Sequence, residues 1–322
     1  MRILVTGGAG YIGSHIVRLL AERGDEPVIV DDFSTGRADR VEGHPSLHLD
    51  LAGFGAREEL AGFMLVEGVD AVIHLAARKK VAESMQHPQW YYRQNVGGVD
   101  TVLGATADLG LRNVVFSSSA AVYGDAAGTV TEDHPKAPIN PYGQTKLIGE
   151  WMSASAARTE KLRAVALRYF NVAGTGWPEL ADTAVQNLIP IVLDAYSRGE
   201  APQIFGDDYA TADGTCVRDY IHVLDLAEAH LAVLDSLHGQ SESFRVYNVG
   251  TGVGSSVRDV VEGLQRRVAG APEPVIQGRR DGDPAMIVAD PSRIAAELGW
   301  TARFGLDDIL DSAVSASVPD GD

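Results

Sequence analysis

Only one cysteine, Cys216, stands in 322 residues. A disulfide framework within the chain is excluded, and so is a metal centre built on several thiolates. Positive charge is also scarce: Lys and Arg number 27 against 44 Asp and Glu, a formal net charge of −17. Such a surface repels a nucleic-acid backbone or an anionic membrane, so neither is expected as a partner. Any phosphate must be held locally, by a few arginines or by backbone N–H groups. Long apolar runs are missing too. Stretches such as Ala71–Ala77 have the length of a strand, far short of the ~20 residues that span a bilayer. Met1-Arg2 leads directly into Ile3-Leu4-Val5 and then glycines, whereas a secretory leader carries an apolar run of about 7–15 residues. These features predict a soluble, cytoplasmic protein. The histidines show no pairs at metal-ligand spacing, and the doublets Asp31-Asp32 and Asp207-Asp208 read as a ribose contact, caps and turns, so no metal is expected.

What is present is an alternation of strands and helices. Arg2–Thr6, Pro27–Asp31, Asp70–Leu75, Asn113–Ser117 and Ala164–Tyr169 are short and near-continuously apolar, as strands covered on both faces are. Helical stretches fall between them at 12–23, 56–67, 89–108 and 141–158. This βαβα order predicts an α/β fold, a doubly wound parallel Rossmann-like sheet, over residues 1–174. From 175 to 322 the order changes: turn-rich segments at Thr175–Pro178, Gly206–Gly214 and Gly278–Pro284 interrupt helices near 184–198, 223–238 and 256–268. Val257, Val260, Val261, Leu264 and Val268 form an apolar stripe on the last of these. A smaller, mixed second domain is expected there, interleaved with the first by a late strand at Val246–Val249. The polar tail Ser315–Asp322 is expected to fray.

Two local patterns carry chemistry. The first strand runs into Gly7-Gly8-Ala9-Gly10-Tyr11-Ile12-Gly13, which opens a helix. Gly7, Gly10 and Gly13 allow a tight turn and close approach of a pyrophosphate to backbone N–H groups at a helix N-terminus. A glycine string can be merely structural; here its place between a strand and a helix at the start of a βαβ unit points to a dinucleotide. Asp31 ends the second strand. Its carboxylate suits the ribose hydroxyls and would repel a 2′-phosphate, which favours NAD over NADP. The second pattern is Pro141-Tyr142-Gly143-Gln144-Thr145-Lys146, which places Tyr142 and Lys146 one helical turn apart. An ammonium beside a phenol is expected to lower the phenol's pKa and prepare it for proton transfer. Tyr-x-x-x-Lys alone is a common solvated helix face. It gains meaning from the serine-rich strand end Ser117-Ser118-Ser119, where doubly wound folds bind ligands.

Together Thr6–Gly13, Ser119 and Tyr142/Lys146 resemble the extended short-chain dehydrogenases/reductases. The resemblance then narrows. Ile204–Tyr209, Asp213–Thr215 and Val217–Val223 are similar to a long signature of UDP-glucose 4-epimerases, as are Arg168–Gly174, Asn187–Pro190 and Arg279–Asp283. It implies an NAD-dependent isomerase, a homodimer of galactose and carbohydrate metabolism acting on a UDP-sugar through a 4-keto intermediate. It also implies roles. Gly7, Gly10, Tyr11, Ile12, Gly13, Asp31, Asp50, Leu51, Lys79, Asn95 and Phe170 would line the NAD site together with the catalytic residues. Tyr142 would shuttle the proton, Ser119 would hydrogen-bond it, and Lys146 would tune it and hold the nicotinamide ribose. Asn171, Asn187, Leu188, Phe205, Arg218, Arg280, Asp283 and Ile287 would hold the UDP-sugar, with Ser119 and Tyr142 at the reacting carbon.

Some residues depart from the pattern. Leu75-Ala76-Ala77-Arg78-Lys79-Lys80 carries two additional basic residues, and choosing Lys79 over Lys80 rests on the resemblance alone. Ile287 stands where the family has a tyrosine, which crowds an N-acetyl group, or a small residue, which leaves room; it equally suits plain strand packing. Other epimerases, 4,6-dehydratases and decarboxylases of nucleotide sugars share the scaffold and the first step. The dehydratases carry an acidic pair after the strand-end hydroxyl, and the decarboxylases typically a glutamate nearby, where this chain has Ala120 and Ala121. A non-catalytic NAD-sensing module would be free to lose the Tyr/Lys pair, which is kept here.

Overall fold

A computed structural model describes residues 1–237, 243–280 and 283–317. The chain runs β1 (Arg2–Thr6), α1 (Tyr11–Glu22), β2 (Glu26–Asp31), β3 (Ser46–His48), α2 (Ala56–Glu67), β4 (Ala71–His74), α3 (Val81–Gln86), α4 (Pro88–Tyr91), α5 (Gly97–Asp108), β5 (Asn113–Ser117), β6 (Gly128–Val130), α6 (Pro141–Thr159), β7 (Arg163–Tyr169) and β8 (Asn171–Ala173). It continues through α7 (Leu188–Ser197), β9 (Gln203–Phe205), β10 (Val217–His222), α8 (Val223–Ser236), β11 (Phe244–Val249), β12 (Gly254–Ser256), α9 (Val257–Arg267), β13 (Val275–Gln277), β14 (Met286–Ala289), α10 (Ser292–Leu298) and α11 (Leu306–Ser317).

Seven parallel strands form the main sheet in the order β3-β2-β1-β4-β5-β7-β11. Alternation along β1 shows why its sequence is continuously apolar. Ile3 and Val5 pack on one face against Ile16 and Leu20 of α1 and Leu226 and Val233 of α8. Leu4 packs on the other against Leu60 and Met64 of α2 and Val99 and Val102 of α5. A strand covered on both sides has no solvent face to fill with polar residues. The chain leaves β1 toward β2 and β3, then returns across it to β4, so β1 and β4 flank the switch point where ligands bind in such sheets.

The smaller sheet is mixed, with β10 at its centre. It runs β12-β10-β14-β6, and β8 joins β10 at the other end of that strand. The chain passes from one sheet to the other at Phe170, the residue between β7 and β8. A third core, with Val260, Val261 and Leu264 of α9 against Ile189, Val192, Ile309 and Leu310, uses the apolar stripe read from the sequence.

The long strands and helices of the first half lie within a residue of their expected ends, apart from the helix expected over 89–108. That segment is α4, a π turn at Tyr92–Val96 and then α5. The helix expected from 184 begins only at Leu188. Asp182 accepts the Ala184 N–H at 3.1 Å and the Asn187 side chain at 3.0 Å, which holds 182–187 in a non-helical loop. The late strand is longer than Val246–Val249 and pairs with β7 along its length, from Phe244↔Ala164 to Val249↔Tyr169. Residues 315–317 close α11 rather than fraying, and the rest of the tail, 318–322, lies outside the described residues, as do Asp281 and Gly282. Among the described residues no helix is long and apolar enough to cross a membrane, and no group of three or more His, Cys, Asp or Glu is placed to hold a metal.

Candidate active site

A cleft of about 870 Å³ opens at the carboxyl ends of β1, β4 and β5 and reaches across to β8, β10 and β14. Its floor is the glycine turn. Gly7 sits at φ +71°, and a Cβ there would lie 2.8 Å from the Ala76 backbone nitrogen across the switch point. A Cβ on Gly13 would collide with the Gly7 carbonyl oxygen. The turn therefore closes only with glycine at these positions. Gly10 begins α1 without a side-chain cap, leaving the first N–H groups of the helix for a ligand. Gly7, Gly10, Tyr11, Ile12 and Gly13 all line the cleft. The Tyr11 hydroxyl points away from the turn and donates to the Gly174 carbonyl.

Asp31 follows at the end of β2. Its carboxylate accepts N–H groups from Ala9 at 3.0 Å and Phe33 at 2.9 Å. Burial pushes its pKa up, and these bonds oppose the shift. Asp50, Leu51 and Lys79 line the same end. Lys80 is not among the lining residues; it precedes α3. Asn95 lines the cleft from the π turn, but its amide is already used: Oδ1 accepts the Arg78 N–H at 2.7 Å, and Nδ2 donates to the Arg78 carbonyl at 3.0 Å and to Thr145 Oγ at 2.9 Å. A turn that a Cβ would fill, an uncapped helix start and a carboxylate at the end of β2 fit a dinucleotide without a 2′-phosphate.

The opposite wall is α6. Asn140 caps it by accepting the Gly143 N–H at 2.8 Å, and Pro141 fills its first turn. Helical spacing then puts Tyr142, Lys146 and Glu150 on one face. Ser119 stands beside the Tyr142 hydroxyl, and its Oγ accepts the Ala121 N–H at 3.2 Å. Lys146 Nζ donates to the Ser117 carbonyl at 2.7 Å and stands 5.9 Å from the Tyr142 ring centroid. Burial pushes the Lys146 ammonium down to about 7. The expected lowering of Tyr142 is not found in the protein alone: burial raises its pKa, opposed by the neighbouring Ser119 hydroxyl. Glu150 was not singled out by its sequence, although it stands one turn beyond Lys146. It accepts Ser118 Oγ at 2.5 Å and both arms of the Arg168 fork at 2.8 and 2.6 Å, an almost fully buried pair behind the serines. Strand end and helix are thus tied at Ser117 and Ser118, with Ser119 beside Tyr142.

The far end holds the remaining candidates. Phe170, Asn171, Asn187, Leu188, Arg218, Asp283 and Ile287 line the cleft. Arg218 Nη1 donates to the Val217 and Pro284 carbonyls at 2.9 and 2.8 Å, and Nη2 lies 3.4 Å from Asp283. Arg218 and Ile287 are register partners on β10 and β14. Phe205 and Arg280 are not brought into the cleft wall. They stack on each other, with the guanidinium carbon 3.8 Å from the ring centroid. Arg78, Gln94, Asp182 and Tyr169 also line the cleft; Tyr169 is partly buried. Tyr169 lies within the motif Arg168–Gly174 and Arg78 within the basic run, but no sequence pattern marks Gln94 or Asp182, which reach the cleft from the π turn and from the 182–187 loop.

Residues 3–250 match the model of the NAD dependent epimerase/dehydratase family. The chain is 44% identical over 321 residues to a UDP-glucose 4-epimerase of Azospirillum brasilense, covering 98% of this chain and 91% of that one. Among solved structures it is similar to the UDP-glucose 4-epimerase of Stenotrophomonas maltophila with bound NAD and formylated UDP-arabinopyranose, at 39% identity and TM-score 0.92, covering 98% of both chains. The enzyme of Bifidobacterium longum in complex with NAD+ and UDP is similar at 34% identity and TM-score 0.89, again over 98% of both chains. By family model, by sequence over nearly its whole length and by fold, the chain belongs to the NAD dependent epimerase/dehydratase family.

Proposed function

We infer that this chain interconverts UDP-galactose and UDP-glucose as an NAD-dependent 4-epimerase. One observation carries the reading: Tyr142 and Ser119 meet inside a single cleft that begins at the glycine turn and ends at Arg218, and only Ala120 and Ala121 follow the serine. When bound, NAD supplies a reversible hydride acceptor for sugar C4, so that a planar 4-keto sugar forms transiently. Gly7, Gly10, Ile12, Gly13, Asp31, Asp50, Leu51 and Lys79 would hold it, while Asn95 acts through Arg78 and Thr145.

As the phenolate, Tyr142 takes the proton from the 4-hydroxyl to become the phenol, and returns it when the hydride comes back. Ser119 holds the phenol and can share the proton's path. Lys146, fixed by the Ser117 carbonyl, places a titratable ammonium next to the phenol. Inversion requires the sugar to turn while its diphosphate stays. Arg218 suits the fixed end, because an arginine fork matches phosphate oxygens. Asn171, Asn187, Leu188, Asp283 and Ile287 line that end of the cleft, and Ile287 would border the sugar. Phe205 and Arg280 would contribute only if their stacked pair reached over the uridine. On this reading residues 1–174 carry mainly the cofactor and 175–322 mainly the substrate.

We also propose a cytoplasmic homodimer. Trp151, 61% exposed on α6, and the helices over 88–108 supply a face for a second copy. The test is incubation with UDP-galactose and no added reductant. UDP-glucose as sole product supports the reading; loss of water, or no turnover by protein that holds NAD, overturns it.

A further inference from the structure

The basic residues of Leu75–Lys80 include one, Arg78, whose side chain the proposed reaction does not use and which links loops across the cleft. Arg78 follows β4, and its backbone is clasped on both sides by the buried Asn95 amide. The side chain therefore starts from a fixed base. Its guanidinium donates to the Asp32 carboxylate and to Ser34 Oγ in the loop after β2, and to Gln94 Oε1 at 3.1 Å in the π turn. Trp90 lies against it, with the ring centroid 5.2 Å from Cζ. The bonds continue on both sides. Asp32 accepts the Ser34 N–H at 3.0 Å, and Gln94 Nε2 donates to Asp50 at 3.2 Å. Asp32, Ser34, Asp50, Arg78 and Gln94 all face the cleft at the end marked by Asp31.

An exposed ion pair contributes little. This one is different in kind: the side chains of Arg78 and Asp32 are 20% and 25% exposed, and a planar fork meets three acceptors and an aromatic face. Its charge is matched by Asp32, so the guanidinium acts as a crosslink between two loops more than as a free cation. The crosslink joins the loops after β2 and β4, and through Gln94 the loop after β3.

We propose that Arg78 is a positioning residue for cofactor retention: with Asp32, Ser34 and Gln94 it forms a latch across the adenosine end of the cleft that opens before the dinucleotide leaves. This rests on the reading of the cleft as an NAD site. It also suits the reaction. A cofactor regenerated in every cycle has no need to exchange, so slow release costs nothing in turnover.

The test is the rate at which full-length protein releases NADH, read as the loss of bound-NADH fluorescence on adding excess NAD. Arg78→Leu should speed release on the order of tenfold, about 1.4 kcal/mol, with UDP affinity unchanged. Asp32→Asn should speed it similarly, and the double variant should release no faster than Arg78→Leu alone, because both remove one crosslink. Arg78→Lys should restore part of the retention. Release at the wild-type rate from Arg78→Leu, or slower release from Asp32→Asn, overturns the latch; the latter would show an arginine attracting the cofactor directly. If Arg78→Leu fails to fold, as judged by UDP binding, the Asp32→Asn result decides. Wild-type protein that binds no NADH would instead overturn the cofactor reading.

Discussion

Replacing Tyr142 by Phe removes one hydroxyl and leaves the ring in its buried place. That hydroxyl has at most one hydrogen bond to lose, toward the neighbouring Ser119, which keeps the Ala121 N–H at 3.2 Å when the phenol is gone. A hydrogen bond of this type is worth about 0.5–1.5 kcal/mol net, so unfolding free energy should change by no more than about that. The cost to chemistry is of another size. Losing a positioned acid–base group slows a reaction by roughly 10²–10⁴, which is about 3–5 kcal/mol on the barrier. The perturbation therefore separates the two: stability nearly intact, turnover reduced at least a hundredfold. Conversion of UDP-galactose gives kcat, calorimetry gives affinities for NAD and UDP, and denaturant unfolding gives stability. Turnover within a few-fold of wild type would remove Tyr142 from the mechanism. A large loss of stability would refute the argument in another way, because inactivity would then follow from unfolding.

Asp31→Ser should narrow the preference for NAD over NADP by removing the carboxylate that a 2′-phosphate would face; equal affinity of the wild type for both cofactors would defeat this assignment. Lys146, held near 7 by burial against about 10.4 in an unfolded chain, makes the unfolded state bind more protons between those values. Wild-type stability should therefore rise with pH from about 7 to 10 relative to Lys146→Met, by a few kcal/mol in all, and the gap should be flat below pH 7; parallel unfolding curves across that range would refute the burial argument. Ile287→Tyr should suppress conversion of N-acetylated UDP-sugars more than of UDP-galactose, by roughly tenfold or more, because added bulk discriminates by fit. Equal loss of both activities, or no N-acetylated turnover by the wild type, would assign Ile287 to strand packing.

The glycine turn and the Tyr142/Lys146 pair were legible because each is a local pattern on a single turn or helix. The main sheet was legible because β1, β2, β4, β5 and β7 are long enough to show double-sided burial. The smaller sheet was not: β6, β8 and β12 are three residues each, too short for any period to register. The π turn was hidden because the segment over 89–108 has continuous helical character, and the irregular turn is what aims Gln94 and Asn95 at Asp50 and Arg78. The direction of the Tyr142 shift was missed for a different reason. Spacing placed Lys146 near the phenol, but the depth of burial, and a carbonyl that draws the ammonium toward Ser117, are properties of the folded neighbourhood. Likewise Phe205 and Arg280 sit in a motif that implies the site, yet they pair with each other beside it.

The return of β11 to the main sheet limits how the molecule can be divided. β7 lies between β5 and β11, so a chain cut near residue 175 would leave Arg163–Tyr169 as an open sheet edge with its outward N–H and C=O groups unpaired. Such an edge is a template for strand addition and aggregation. The same strand lies beside Ser117 of β5, to which Lys146 is tied, so the damage would reach the serine-rich strand end. Residues 1–174 are therefore not a transplantable module. A fusion or minimal binding domain built from it should either extend through Val249 or supply a replacement for that seventh strand.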